Sequence, residues 1–218
     1  MRIVDLTYDI AEGMPTFEAH WHPTVSIRQL GRLGMEGRET REVLLGTHTG
    51  THVDAEIHFV PGGQTIDQVP LNRLIGPVSI VDFSGLGENG RVTVDMLAQV
   101  EVRERMLFRY GWSRFWGTRK YYHGYPSITM EAAKYLIGQG LKVIGYDTPS
   151  PDQSSQKLEG DDEDSPIHKV FLKNGVILIE YLTNLESIDP LDGWTLCVLP
   201  LRIRGADGSP ARACVMRE

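Results

Sequence analysis

The apolar positions of this chain fall into short runs separated by turn residues. From Arg2, RIVDLTY alternates apolar and polar residues, the period of a half-buried strand. PVSIVDF, Pro77 to Phe83, is a β-rich run closed by Ser84, Gly85 and Gly87. RMLFRYGW, from Arg105, predicts another strand. Thr129 predicts the N-cap of a helix running from Met130 to Ile137 and ending at Gly138 or Gly140. LKVIGYDTPS, from Leu141, predicts a strand entering a proline-containing loop. Ser165-Pro166 offers an N-cap with proline in the first turn, and Asn174-Gly175 stops that short helix. GVILIEYL, from Gly175, is an apolar strand with one acid, Glu180, near its end. WTLCVLPLRIRG, from Trp194, adds at least one more. Strands outnumber helices and at least two helices fall between strands, which predicts an α/β fold with a mixed sheet.

One stretch breaks the pattern. In GTHTGTHVDAEIHF, Gly46 to Phe59, the even positions are His48, Gly50, His52, Asp54, Glu56 and His58. The odd positions are Thr47, Thr49, Thr51, Val53, Ala55, Ile57 and Phe59. In an extended chain one side is therefore ionisable and the other suited to packing. Fully extended, His48 and His58 would lie roughly 33 Å apart, whereas metal ligands sit about 2 Å from their ion. The ends can share a site only if the segment bends, and Gly50 or Pro61-Gly62-Gly63 could turn it. Imidazole with carboxylate suits zinc or manganese better than calcium or magnesium. A hydrogen-bonded polar cluster is the alternative, although burying these groups without a metal or partners is costly. Glu180, an acid among aliphatics, likewise needs a partner or a metal unless it points to solvent at the strand end.

Composition narrows the remaining classes. The chain has 218 residues, 41% hydrophobic and 23% charged, enough for a single globular domain over 1–218. Its formal net charge of −7 argues against nucleic acid or an anionic membrane surface as the main partner. Between Arg103 and Arg119, arginines alternate with Phe108, Tyr110, Trp112 and Trp116; these could stack bases, and a buried strand with charged flanks is the plainer reading. The acidic run Lys157 to Asp164 could cage calcium but lacks DxDxDG spacing, so a solvated charge run is favoured. Cys197 and Cys214 form no CxxC, which fits a reducing compartment. The N-terminus carries Asp5 and Asp9 where a secretory signal would be apolar, and no run reaches membrane-spanning length, so a cytoplasmic protein is expected.

His48-Thr-Gly-Thr-His52-Val-Asp54-Ala-Glu56-Ile-His58-Phe59 resembles the HxGTHxDxPxHF signature of the cyclase family, which includes bacterial kynurenine formamidases and isatin hydrolase. The resemblance extends along nearly the whole chain. Asp5-Leu6-Thr7 with Gly13-Met14-Pro15 resembles the family's opening, and Arg109-Tyr110-Gly111-Trp112 its RTGW turn. Gly145-Tyr146-Asp147-Thr148-Pro149-Ser150 resembles its GIDTPS stretch, and Asp207-Gly208-Ser209-Pro210-Ala211-Arg212 its DGSPAR. Two departures stand out: Glu56 replaces the signature proline and Tyr110 the RTGW threonine.

The resemblance implies a swivelling β/β/α-type single domain with a mixed β-sheet core. It implies a metal-dependent hydrolase of a small amide or lactone carbonyl, assembled as a homodimer or homotetramer. It assigns His48, His52 and Asp54 to one Zn or Mn ion, with Asp54 bridging to a second held by His168 and Glu180; members use one metal or two. The ion lowers the pKa of bound water from about 16 toward 7 and polarises the carbonyl. His58 then shuttles the proton between water and leaving group, as general acid and base. Thr51 and Glu56 are the candidates for supporting the ligands. Glu56 could instead bind metal, tune His58, contact substrate or turn outward. Phe17, Trp21 and His22 could line an aromatic-substrate pocket, although packing is the plainer role for Phe17 and Trp21. The rivals are a lyase or ring-closing activity on the same metal, and a non-catalytic module in which Glu56 closes the site. A Ser-His-Asp hydrolase is disfavoured because no GxSxG occurs.

Overall fold

The apolar runs at 105–109, 143–146 and 177–180 become strands buried on both faces, whereas those at 2–5, 75–82 and 194–200 keep partly exposed positions. The computed structural model describes residues 1–17, 19–154 and 164–218. In chain order the elements are β1 (Arg2–Asp5), β2 (Ser26–Gly31), α1 (Leu33–Glu36), β3 (Thr40–Leu44), β4 (His52–Asp54), α2 (Leu71–Leu74) and β5 (Ile75–Asp82). There follow β6 (Arg91–Val92), α3 (Val94–Leu97), β7 (Arg105–Arg109), β8 (Ser127–Ile128), α4 (Met130–Gly138), β9 (Val143–Tyr146), α5 (Pro166–Lys173), β10 (Ile177–Glu180), β11 (Trp194–Pro200) and β12 (Gly208–Arg217).

Eight strands form one mixed sheet, ordered β1-β12-β11-β5-β7-β9-β10-β4, and β4 also pairs with β12. That extra pairing closes the sheet into a barrel. Strands β5, β7, β9 and β10 are parallel neighbours; the remaining pairings of the sheet are antiparallel. Alternate residues serve two cores. Leu107, Val143, Ile177 and Ile179 join Val53, Leu196 and Val215 inside the closed sheet. Met106, Phe108, Ile144, Tyr146 and Leu178 face a second core completed by Leu136 of α4 and Phe171 of α5. The fold is thus mixed α/β with a mixed sheet. No helix among the described residues is long and apolar enough to cross a membrane.

Several local expectations change. Thr129 does cap α4, its hydroxyl accepting from the Ala132 amide at 3.1 Å. Ser165 occupies the N-cap position of α5 but makes no capping hydrogen bond; Asp152, remote in sequence, accepts from the Ile167 amide at 2.7 Å and the His168 amide at 3.1 Å. The β2–β3 hairpin is not predicted from the hydrophobic pattern because it buries so little: every residue of β3 is exposed. In the arginine-rich segment, Arg105 is buried and donates to the carbonyls of Asn72 and Arg73, while Arg109 pairs with Asp82 at 2.6 Å. These guanidiniums clamp the fold. The acidic run from Lys157 lies outside the described residues, except for Asp164.

Candidate metal centre

The segment Gly46 to Phe59 keeps its two-residue parity only across β4. There Val53 enters the interior core, and His52 and Asp54 take the other face. Two bends interrupt the extended path. Gly50 adopts φ +59°, a left-handed conformation that glycine takes at little cost. After Ala55 the chain enters a 3-10 turn at Glu56–His58, where the His58 amide donates to the Ala55 carbonyl at 3.0 Å. Of the predicted turning points, Gly50 therefore folds the donors together. Pro61-Gly62-Gly63 lies beyond His58 and is not needed.

Strand β4 is held on both edges. His52 and Asp54 are in register with Glu180 and Leu178 of β10, and with Pro210 and Gly208 of β12. Helix α5 packs its buried stripe of Ile167, His168, Phe171 and Leu172 over the same region. Two groups of potential ligand atoms result, His48/Asp54/His58 and His52/Asp54/Glu180, each with its atoms within 4.8 Å of one another. Asp54 belongs to both. His168 Nε2 lies 3.0 Å from Glu180 Oε1 and 3.8 Å from Asp54 Oδ2, which attaches it to the second group. His48 and His52 fall in different groups, their ring centres 4.9 Å apart, and His58 falls among the donors beside His48.

The donor set fits a divalent cation. Among the described residues, the buried atoms His52 Nε2 and Asp54 Oδ2 have no hydrogen-bond partner. His52 Nε2 sits 3.2 Å from Asp54 Oδ1 and 3.5 Å from Glu180 Oε2, an arrangement of lone pairs and negative charge that a cation would satisfy. The same field acts on protons. Burial opposes charging of His48, but the Asp54 charge and hydrogen bonds to Asp207 and Asp54 outweigh it and raise its pKa to about 10. Burial likewise opposes, and Glu180 and Asp152 overcome, the charging of His168, whose pKa is raised well above the ordinary range. Asp54 is driven well below the usual carboxylate range, its burial outweighed by the His48 charge and hydrogen bond and by the adjacent His52 imidazole.

Four groups orient these side chains. The Gly50 carbonyl takes His52 Nδ1 at 2.7 Å, and Asp152 takes His168 Nδ1 at 2.6 Å. Tyr146 donates its hydroxyl to Glu180 Oε1 at 2.7 Å. Asp207 Oδ2 takes His48 Nε2 at 2.8 Å and His58 Nδ1 at 3.1 Å. Local pattern singled out Gly50 alone, and as a turning point rather than as an acceptor. Tyr146 and Asp207 do lie inside the GYDTPS and DGSPAR stretches, so that signal was present.

The remaining sequence candidates are placed differently. Glu56 lies outside both donor groups; its carboxylate accepts from the Gln64 amide at 3.2 Å. Thr51 ties β4 to its neighbours, donating to the Tyr181 carbonyl at 2.6 Å and accepting from the Tyr8 amide at 3.0 Å, and touches no ligand candidate by hydrogen bond. Phe17 and Trp21 are 43% and 68% exposed, so neither packs into a core as expected. The loop that carries them leaves them outside the barrel, with Phe17 against His22 and Tyr122 at ring distances of 5.8 and 6.3 Å. His22 is half-buried, 6.1 Å from the His48 ring, and burial together with the neighbouring imidazoles lowers its pKa.

The chain is similar to known proteins over most of its length. The family model Cyclase, described as "Putative cyclase", matches residues 4–153. A kynurenine formamidase of Bacillus cytotoxicus is 30% identical over 174 residues, covering 80% of this chain and 78% of that protein. Isatin hydrolase A from Labrenzia aggregata, solved with benzyl benzoate, superposes with a TM-score of 0.88 at 25% identity, over 99% of this chain and 93% of the other. A predicted metal-dependent hydrolase from Bacillus stearothermophilus gives 0.76 at 27% identity, over 98% and 97%. The chain belongs to the cyclase family.

Proposed function

We propose that this protein is a metal-dependent hydrolase of small amides, acting on a C–N bond next to an aromatic ring, with zinc or manganese as its ion. The observation that carries the reading is the pair of buried, unpartnered atoms His52 Nε2 and Asp54 Oδ2, ringed by His48, Glu180 and His168. A divalent cation there supplies Lewis-acid polarisation of a carbonyl and water acidic enough to act as nucleophile near neutral pH.

The protein's own groups do the rest. Asp54 and Glu180 provide the negative charge that retains the cation, and burial keeps bulk water from screening it. His58 is the most accessible of the four clustered imidazoles, its side chain 25% exposed. It accepts a proton from the attacking water and returns it to the leaving nitrogen. Aromatic rings flank the centre. Tyr181 lies 5.4 Å from the His52 ring, and Phe59 lies 4.5 Å from the His58 ring and 5.2 Å from the His168 ring. Such walls favour a flat aromatic substrate over an aliphatic one. Two of the relatives named above are, by their names, a kynurenine formamidase and an isatin hydrolase, which supports cleavage of an amide C–N bond. Glu56, turned toward Gln64, is not placed to close the centre, which weighs against a non-catalytic module.

The test is a substrate screen of N-formyl anilines, isatin-like cyclic amides and unsaturated lactones, run before chelation, after it, and after zinc or manganese add-back. Aromatic amide cleavage that disappears on chelation and returns with metal is expected. Undiminished hydrolysis in chelated protein refutes the mechanism. Turnover confined to lactones, or ring closure in place of cleavage, refutes the substrate assignment.

A further inference from the structure

Asp207 differs from the other orienting groups at this centre in serving two imidazoles at once. It reaches the site from the start of β12, 159 residues from His48 and 149 from His58. Its backbone is fixed: the Ala55 amide donates to the Asp207 carbonyl at 2.9 Å, and the next residue, Gly208, is paired with Asp54. A side chain at 208 would place its Cβ 2.9 Å from His48 Cε1 and 2.8 Å from the Val53 carbonyl, so glycine lets the strand come this close. One oxygen, Asp207 Oδ2, serves two imidazoles whose ring centres are 4.1 Å apart. Among the described residues, His58 Nε2 has no hydrogen-bond partner.

We propose that Asp207 is a positioning residue that sets the tautomers of both rings. By accepting from His58 Nδ1–H, it leaves the Nε2 lone pair of His58 free to take a proton. By accepting from His48 Nε2–H, it directs the other nitrogen, Nδ1, toward Asp54, where a cation would take the place of the proton that His48 shares with Asp54. Carboxylate-to-imidazole contacts of this kind fix ring orientation and raise basicity. The same contacts hold His58 beside the centre without making it a ligand. This deepens the hydrolase reading and rests on it for its kinetic consequence.

The experiment is nitrogen NMR of ¹⁵N-histidine-labelled, zinc-loaded protein, paired with a double-mutant cycle. In the unsubstituted protein, His58 is expected as the Nδ1–H tautomer. In Asp207→Ala it should exchange between tautomers, with bound zinc retained. An unchanged His58 tautomer overturns the proposal, as does loss of zinc with that tautomer intact. In kinetics, Asp207→Ala should lower kcat by about 10–100-fold with little change in KM. In a His58→Gln background it should cost nothing further, and an equal loss in both backgrounds refutes action through His58. Asp207→Ser, too short to reach either ring, replaces Asp207→Ala if that variant fails to fold. If no tested amide is cleaved by the parent protein, the hydrolase reading fails while the tautomer measurement still decides the role of Asp207.

Discussion

At His48, two carboxylates converge on one imidazole: Asp54 Oδ1 at 2.8 Å from Nδ1 and Asp207 Oδ2 at 2.8 Å from Nε2. The ring can be shared this way only because Gly50 turns the chain between His48 and His52. Gly50 also lends its carbonyl to His52 Nδ1, so one residue orients two donors. Replacing it should therefore do more than strain a loop. Gly50→Ala forces a left-handed alanine, at about 1–2 kcal/mol, and puts a Cβ 3.0 Å from Met14 Cε. Denaturant unfolding should register that loss, and metal analysis should show reduced zinc or manganese retention. Normal metal content with lowered stability would confine Gly50 to a purely conformational role. The importance of Gly50 was legible in the sequence, since an alternating pattern spanning roughly 33 Å had to bend somewhere. Asp207 was not legible from its own surroundings, because nothing in DGSPAR signals that its carboxylate meets two imidazoles some 150 residues upstream.

Among the elements, α5 shows how one distant acid does two jobs. Ser165 stands where a capping residue belongs, yet its backbone is left-handed and its hydroxyl bonds to Asp164. Asp152 provides the cap through the Ile167 and His168 amides, and its Oδ2 also holds His168 Nδ1. Helix stability and ligand orientation are thereby coupled. Asp152→Ala should cost about 1–2 kcal/mol as a lost cap and weaken metal affinity by about 10–100-fold through a freed imidazole. Denaturant titration and competition with a chelating dye measure the two losses, and a variant losing only one would separate the roles. Strands β7, β9 and β10 follow from hydrophobic pattern, because burial on both faces demands apolar side chains whichever core they enter. The β2–β3 hairpin escaped that logic by burying little.

At the scale of the whole molecule, closure of the sheet brings the centre together. Strand β4 joins β10 to β12, so the chain's early histidines meet Glu180 and Asp207 only once the last strand is in place. Metal binding should therefore stabilise the entire fold. At free metal about 100 times the dissociation constant, the gain is about 2.7 kcal/mol. The pH dependence has a defined sign. His48 titrates near 6.5 when unfolded and near about 10 in the folded, metal-free protein. Its contribution is complete below about pH 6.5 and is lost as pH rises through about 10. Thermal unfolding of metal-free protein should therefore weaken across that window, while the stabilisation from added metal should grow as protons cease to compete for the imidazoles. A metal effect independent of pH would mean that His48 is not displaced from its proton.

The strand runs, the capped helix at Thr129 and the acid stranded in GVILIEYL are local consequences of burial and backbone chemistry, readable before any coordinates. So was a concentration of imidazoles and acids dense enough to demand a cation or partners. The bond of Glu56 to the Gln64 amide was decided by the turn that follows β4. Which donors group together and which carboxylates steady them were decided by barrel closure. Those facts depend on distances between atoms far apart in the chain, and residue spacing encodes only distances between near neighbours.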